Sequence, residues 1–234
     1  MSVGHLRKRV RRAVQPAAWR VQRRWPVVRN RTDVLNFLVA GHGYRTYLEI
    51  GVRNPGGNIA RVRVAEKTGV DPAPARGVVD YAMTSDEFFT RLDAADTHSV
   101  FDLVFIDGLH VDEQVERDIV NGLRHLSDGG AVVVHDCNPT ARDAQTAAPS
   151  RALWLGTVWK AWAKLRSARP DLSMAVVDVD LGCGVIMRGR QECYPLAFES
   201  YDELDYAVLE GDRRRLLNLI SAREFMTQYS GQRR

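Results

Sequence analysis

Four segments of the chain end a short apolar run with acidic or polar residues. They are Glu49-Ile50-Gly51, Gly69-Val70-Asp71, Ile106-Asp107-Gly108 and His135-Asp136-Cys137. Short apolar runs of this kind predict buried strands, and an open parallel sheet binds its ligands at the carboxyl ends of the strands. A single acid at a strand end is also common in ordinary turns. Four such ends in one chain therefore indicate a binding or catalytic site.

The first of these ends runs into a glycine-rich loop. Residues 49–58 have the sequence EIGVRNPGGN, and Asp71 ends the next predicted strand. Glycine allows the backbone to approach a ligand closely, and an acid at the second strand end can accept both hydrogen bonds from a ribose diol. The G-x-G-x-x-G spacing of dinucleotide-binding folds is absent, and an acid beside the first glycine would repel a pyrophosphate. The loop therefore favours a ligand with a ribose and positively charged groups, and it disfavours a nicotinamide-dependent oxidoreductase.

From about residue 44 to 190, the chain resembles the class I S-adenosylmethionine-dependent methyltransferases, through the E-I-G loop and the spacing to Asp71. The resemblance implies that S-adenosylmethionine is the cosubstrate. The residues that it implies for cofactor binding are Glu49, Gly51, Asp71, Ser85, Asp86 and Asp107. Ser85 and Asp86 would lie near the adenine, and Gly51 against the cofactor.

A narrower resemblance comes from the segments FIDGLH at 105–110, VHDCNP at 134–139 and VWKA at 158–161. They are similar to those of metal-dependent sugar O-methyltransferases of antibiotic and polysaccharide pathways, including the methylmannose type. The resemblance implies that Asp107 and Asp136 bind Mg²⁺ and that His110 is the general base. The acceptor would then be a hydroxyl of a small molecule, in particular a sugar or oligosaccharide.

The residues on either side of Asp136 depart from the pattern of these relatives. His135 and Cys137 stand where relatives often have another acid or an asparagine, and neither is a ligand that Mg²⁺ prefers. Histidine titrates near neutrality, which suits proton removal by a histidine at this site. His135 is therefore a second candidate for the base, or a residue that orients the base.

The order of these segments predicts a doubly wound, mostly parallel α/β sheet of the Rossmann-like methyltransferase type. Periodicity predicts strands at 47–50, 62–64 with 67–71, 101–107 and 131–134, helices at 84–95, 111–126 and 151–168, a β-hairpin at 173–179 and 184–187, and a helical region from about 199. Short buried strands that alternate with helices pair in parallel and are covered on both faces. The helix at 151–168 contains Trp154, Trp159 and Trp162. We expect some of these indoles in the core and at least one at the pocket.

The N-terminal residues differ in charge from the rest of the chain. Residues 1–31 contain ten Arg or Lys and no acid. Apolar residues at spacings of three or four along 5–25 predict a helix there. We therefore divide the chain into a basic helical arm at 1–31 and a methyltransferase domain at 32–234. The apolar face of the arm predicts packing on the domain or in a homodimer, with a membrane surface or nucleic acid as the alternative contact.

Bulk composition limits the remaining function classes. No apolar run approaches the length of a membrane span or a secretory signal, so we expect a cytoplasmic location. Three cysteines without zinc spacing argue against a disulfide framework and a structural zinc site. The basic arm supports one alternative function, a nucleic-acid-binding protein or nucleic-acid methyltransferase. The absence of an Asn/Asp-Pro-Pro-Tyr/Phe tetrapeptide, and of basic-aromatic interleaving after residue 31, makes nucleic acid an unfavoured partner.

Overall fold

The computed structural model describes residues 27–77, 79–95, 100–146, 148–149 and 153–231. The helix expected at 5–25 lies outside these ranges, so its packing and the homodimer stay predictions. Within the described ranges, none of the helices combines the length and the apolar character needed to cross a bilayer.

Seven strands form one mixed sheet. The strands are β1 (Thr46–Ile50), β2 (Glu66–Val70), β3 (Phe101–Ile106), β4 (Leu126–Val134), β5 (Leu172–Val177), β6 (Cys183–Arg188) and β7 (Leu219–Ile220). Their order across the sheet is β2-β1-β3-β4-β6-β5-β7. Among these strands, β6 alone runs antiparallel to its neighbours, β4 and β5. The arrangement confirms the mostly parallel sheet and the β-hairpin, which β5 and β6 form.

Helices cover both faces of the sheet, as a doubly wound fold requires. They are α1 (Arg31–His42), α2 (Asn58–Arg61), α3 (Ser85–Ala94), α4 (Asp112–Arg124), α5 (Val158–Ala168), α6 (Tyr206–Leu217) and α7 (Ala222–Gln228). Successive side chains of a strand point to opposite faces, so Leu48 packs in one core and its neighbour Tyr47 in the other. The first core includes side chains of α3, α4, α5 and α6, and the second includes those of α1 and α7. The C-terminal helical region is thus confirmed.

The helix predicted at 84–95 is confirmed as α3, and a capping box at Thr84 marks its start. The helix begins after Thr84, whose side chain accepts a hydrogen bond from the Glu87 N–H, while the Glu87 carboxylate accepts one from the Thr84 N–H. This capping box satisfies two backbone donors at the helix start. The strand expected at 62–64 is wrong, because these residues follow α2 without pairing and β2 begins at Glu66.

The expected helix at 151–168 is wrong in its first turns. α5 begins at Val158, because Gly156 has a left-handed φ of 65° that a continuous helix cannot contain. Trp154 therefore lies in a loop before the helix, whereas Trp159 and Trp162 are fully buried in α5. The two buried tryptophans belong to the core, as expected for some of the three indoles.

Candidate active site

The loops that follow β1 and β3 meet at the carboxyl edge of the sheet. Gly51 has a φ of 94°, and a Cβ atom on it would lie 2.1 Å from the carbonyl oxygen of Asp107. Glycine is required at this position because any side chain would collide with the neighbouring loop. The contact fixes the E-I-G loop beside Asp107, and the expected contact of Gly51 with a cofactor stays a prediction.

Glu49 is buried at the same edge. Its Oε2 accepts hydrogen bonds from the Tyr47 hydroxyl at 2.5 Å and from the Asn58 side-chain amide at 3.0 Å. Burial raises the pKa of Glu49 to about 7; the two hydrogen bonds oppose this increase, and nearby Asp107 adds to it. A positively charged ligand group beside Glu49 would favour the ionised carboxylate. The residue is therefore suited to an ammonium or sulfonium group.

Asp71 directly follows β2, which pairs with β1. Its Oδ1 accepts a hydrogen bond from the Ala73 N–H at 2.8 Å. The loops after β1 and β2 are joined by the Ala75 N–H, which donates to the Arg53 carbonyl oxygen at 2.9 Å. Asp71 thus lies next to the E-I-G loop, and its contact with a ribose stays a prediction.

Ser85 and Asp86 begin α3 and contact α4 through Gln114. The Gln114 side-chain nitrogen lies 3.1 Å from the Ser85 hydroxyl oxygen and 3.1 Å from Asp86 Oδ1. The same nitrogen lies 3.0 Å from Asp118 Oδ1. Asp118 is 1% exposed, and burial raises its pKa to about 6. Hydrogen bonds from Ser85 and Gln114 oppose this increase, so Asp118 adds a buried carboxyl group that contacts one of the two residues predicted for adenine.

Asp107, His110 and Asp136 come together between the ends of β3 and β4. His110 Nε2 lies 3.3 Å from Asp107 Oδ1, and His110 Nδ1 lies 3.2 Å from Asp136 Oδ2. One potential ligand atom from each of the three residues lies within 4.8 Å of the other two, a spacing that could hold a metal ion. His110 Nδ1 and Asp136 Oδ1 are buried, and their nearest polar neighbours, Asp136 Oδ2 and His135 Nδ1, lie at 3.2 Å and 3.1 Å without hydrogen-bond geometry. The fold therefore brings together the residues predicted for the metal and for the base.

His135 is buried beside this cluster and faces three carboxylates. Its Nδ1 lies 3.2 Å from Asp107 Oδ1 and 3.1 Å from Asp136 Oδ1, and its Nε2 lies 3.7 Å from Asp180 Oδ2. Burial alone would lower the pKa of His135, but the three carboxylates raise it to about 11. The three carboxylates therefore favour the protonated form of this imidazole. A charged imidazole favours the orienting role for this residue over the role of base.

Arg31, the first residue of α1, brings a second positive charge to the cluster. Its Nη1 lies 3.6 Å from Asp107 Oδ2, and its backbone N–H donates to Asp180 Oδ2 at 3.0 Å. The same Nη1 lies 3.0 Å and 2.9 Å from the two ring nitrogens of His135. A guanidinium only donates, so this approach favours a neutral imidazole, whereas the three carboxylates favour the protonated ring. The two sets of contacts therefore oppose each other at His135.

The loop before α5 contacts His110 from another side. The Trp154 ring stacks on the His110 imidazole, with ring centroids 5.2 Å apart and an interplanar angle of 16°. The Thr157 N–H donates to the His110 carbonyl oxygen at 2.9 Å. A Cβ atom on Gly156 would lie 1.9 Å from that oxygen, so the glycine allows the loop to approach. Of the three tryptophans at 154, 159 and 162, Trp154 is thus the one whose ring stacks on a candidate site residue.

Three charged residues of the site were missing from the sequence-based candidates: Arg31, Asp118 and Asp180. Arg31 ends a run of basic residues assigned to the arm, and Asp180 lies in the turn between β5 and β6. Neither position has a local signal in the sequence. Asp118 had one, because it precedes Ile119 on the apolar face of α4, where an acid is unusual without a specific role.

One family and many solved structures are similar to this chain. Residues 48–137 match the family described as a methyltransferase domain. The match includes the ends of β1, β2, β3 and β4, with Glu49, Asp71 and the cluster of Asp107, His110 and Asp136. Arg31, Trp154 and Asp180 lie outside the matched residues. The match supports a methyltransferase function for this part of the chain. No curated protein matches the sequence.

The similar solved structures include enzymes with different acceptor atoms. An O-methyltransferase from Bacillus cereus in complex with SAH is 15% identical, with a TM-score of 0.47 over 67% of this chain and 79% of the other. The O-methyltransferase TomG from Streptomyces achromogenes, in complex with SAM, is 16% identical, with a TM-score of 0.48 over 67% and 78%. The N-methyltransferase NodS from Bradyrhizobium japonicum WM9 is 19% identical, with a TM-score of 0.42 over 69% and 94%. At these values the similarity concerns the general fold.

The substitution Glu49→Gln should change the pH dependence of stability. The pKa of Glu49 in the folded protein, about 7, lies above the ordinary value of 4.5. The carboxyl group therefore contributes stability below pH 4.5 that is lost as the pH rises through 7. The variant lacks this titration. Between about pH 4.5 and 8, the wild type should lose roughly 3 kcal/mol of unfolding free energy relative to Glu49→Gln.

Urea unfolding at several pH values, without cofactor, measures this difference. The control is Glu66→Gln, which removes an exposed carboxylate at the start of β2. If the free energies of unfolding of the wild type and Glu49→Gln differ by a constant amount across this pH range, Glu49 does not have the raised pKa.

Proposed function

We propose that this protein transfers the methyl group of S-adenosylmethionine to a hydroxyl of a small molecule, in particular a sugar or oligosaccharide. The proposal rests on the order of polar residues along one edge of the sheet. Asp71 follows β2 and Glu49 lies in β1, and the cluster of Asp107, His110 and Asp136 follows β3 and β4. The first pair suits the cofactor, and the cluster suits a hydroxyl that must lose its proton.

The cofactor half of this edge matches the chemistry of S-adenosylmethionine. Asp71 would accept hydrogen bonds from the ribose diol. Glu49 lies one strand away, where its carboxylate would face a positively charged part of the cofactor. Ser85, Asp86 and Asp118 form a connected polar group through Gln114, which we assign to the adenine side.

The cluster fits a divalent cation. Asp107 and Asp136 offer the carboxylate oxygens that Mg²⁺ prefers, and one ligand atom from each lies within 4.8 Å of the other and of His110. His110 completes a possible ligand set, but an imidazole suits transition-metal ions better than Mg²⁺. We therefore assign the two carboxylates to Mg²⁺ and His110 to proton transfer. A bound cation would lower the pKa of the acceptor hydroxyl.

His110 would take the proton from the acceptor hydroxyl at a ring nitrogen. His135, already protonated, would hold Asp107 and Asp136 in place without accepting a proton. The acceptor oxygen forms a bond to the methyl carbon while the carbon–sulfur bond breaks, which releases S-adenosylhomocysteine. Alignment of oxygen, carbon and sulfur by the pocket would supply much of the rate.

The sugar acceptor is supported by the resemblance of the FIDGLH segment and by the position of Trp154. This half-buried indole stacks on His110, so an aromatic ring lies next to the proposed base. Aromatic side chains offer a large apolar surface with a polar handle, which suits the mixed surface of a sugar ring.

The substitution Asp71→Ala should weaken the binding of S-adenosylhomocysteine. Lost hydrogen bonds to a charged group correspond to an affinity about 10- to 150-fold lower. Titration calorimetry measures the Kd, and Asp128→Ala, an exposed acid near the start of β4, is the control. Unchanged affinity in Asp71→Ala, or tighter binding of a nicotinamide nucleotide by the wild type, would remove the cofactor assignment.

Metal removal should abolish activity if Asp107 and Asp136 bind a cation that lowers the pKa of the acceptor hydroxyl. Dialysis against a chelator and re-addition of Mg²⁺ is the direct assay. Asp136→Asn should weaken Mg²⁺ binding, and asparagine tolerates the positive φ of 59° at this position. Asp128→Asn is again the control. Full activity of the metal-free enzyme would leave the two acids without a metal role.

The substitution His110→Ala should lower kcat by about 10²–10⁴-fold, the usual contribution of a general base. The Kd of S-adenosylhomocysteine should stay nearly constant, because the proposed base does not contact it, and the Kd of Mg²⁺ should not rise, because the ion and His110 would compete for the same carboxylate oxygens. A higher Kd for Mg²⁺ would make His110 a metal ligand instead. His135→Ala should cost less in kcat, and a larger loss at His135 than at His110 would reverse the assignment of the base.

A further inference from the structure

A cavity lies at the opposite end of the sheet from the candidate active site. It has a volume of about 350 Å³ and is lined by residues at the end of α5, the start of β5, the segment 190–195 and the end of α6. β5 begins here, whereas the acidic cluster lies where β3 and β4 end. The volume is within the range of small-molecule pockets.

Three arginines line this cavity, and the innermost lacks a carboxylate partner. Arg166 is only 7% exposed. Its guanidinium donates to the Gln191 side-chain oxygen and, at 3.2 Å, to the Glu192 carbonyl oxygen, which are both uncharged acceptors. Its Nε is buried without a hydrogen-bond partner among the described residues. A buried cation with neutral partners alone retains much of its desolvation cost.

The other two arginines leave the cavity with excess positive charge. Arg190 is exposed and has no hydrogen bond or ion pair with the described residues. Arg215 pairs with Asp212 at 3.0 Å and lies 5.7 Å from the centre of the Tyr194 ring. Glu192 is the acid that lines the cavity, and it forms no ion pair with these arginines in the described chain.

We infer that this cavity binds the phosphate group of a small phosphorylated molecule, contacted by Arg166, Arg190 and Arg215. Guanidinium groups match phosphate oxygens in geometry and charge, and a bound phosphate would supply the counter-charge that Arg166 lacks. The walls contributed by Met174, Tyr194 and Pro195 leave room for an organic part. The inference uses no residue of the proposed methyl-transfer site, so the two proposals fail or hold independently.

The competing interpretation is that Arg166 only fastens the segment 190–195 to α5. Its bonds to Gln191 and Glu192 would then be its whole role, and the cavity would bind phosphate no better than any basic surface. The two interpretations differ at Arg190. This residue forms no bond to the described residues that would hold the segment in place, whereas a phosphate site needs its charge.

The test is calorimetry with inorganic phosphate, glucose 6-phosphate and glucose as probes, at constant ionic strength and with S-adenosylhomocysteine present. Arg190→Gln should raise the Kd of phosphate about tenfold or more, and Glu192→Gln should lower it by removing a like charge. Arg63→Gln, an exposed arginine beside β2, should leave it unchanged. Glucose 6-phosphate should bind at least as tightly as phosphate, and glucose should not bind in a manner sensitive to Arg190.

Equal Kd values for phosphate in the wild type, Arg190→Gln and Arg63→Gln would overturn the inference. It would also be overturned if phosphate bound no more tightly than chloride, titrated as a control anion. Binding of inorganic phosphate without binding of glucose 6-phosphate would overturn the organic part of the ligand. Thermal melting of each variant in phosphate-free buffer verifies that the substitutions leave the fold intact.

Discussion

The candidate active site depends on the pairing of three convergent carboxylates with one buried imidazolium. Asp107, Asp136 and Asp180 come from different parts of the chain and would repel one another without a cation between them. His135 faces all three. Arg31 adds a second cation at the edge of the group. Removal of one partner from such a buried group leaves an uncompensated charge, which usually destabilises a protein strongly.

This requirement explains why distant backbone segments take unusual conformations near the site. Asp136 and Asp180 both have positive φ values, 59° and 48°, in a region where most residues are disfavoured. The first turns the chain directly after β4, and the second lies in the hairpin turn before β6. Both conformations bring a carboxylate to His135, so the charge cluster offers a physical reason for the strain. Strained residues of this kind are concentrated at functional sites.

The parts of the fold set by neighbouring residues could be predicted from the sequence. The strand ends at Asp107 and Asp136 follow continuous apolar runs, and the capping box at Thr84 is a local pattern, so each was located correctly. The predicted start of α5 was wrong because it missed the left-handed Gly156. A glycine is required there by close contact with His110, which lies 46 positions earlier in the sequence. Arg31 contacts His135, which is 104 positions away, and no local pattern can report such a pairing.

The two oxygens of each central carboxylate face different partners, and this division limits what a cation can do at the site. Asp107 directs Oδ1 toward both histidines and Oδ2 toward Arg31. Asp136 directs Oδ1 toward His135 and Oδ2 toward His110. A divalent ion held by both acids would therefore compete with His110 for their oxygens. His135 would still contact both carboxylates, and Arg31 would still contact Asp107. His110 would keep its stacking on Trp154 but lose its acidic neighbours, and its imidazole would be available to the proton of an acceptor hydroxyl.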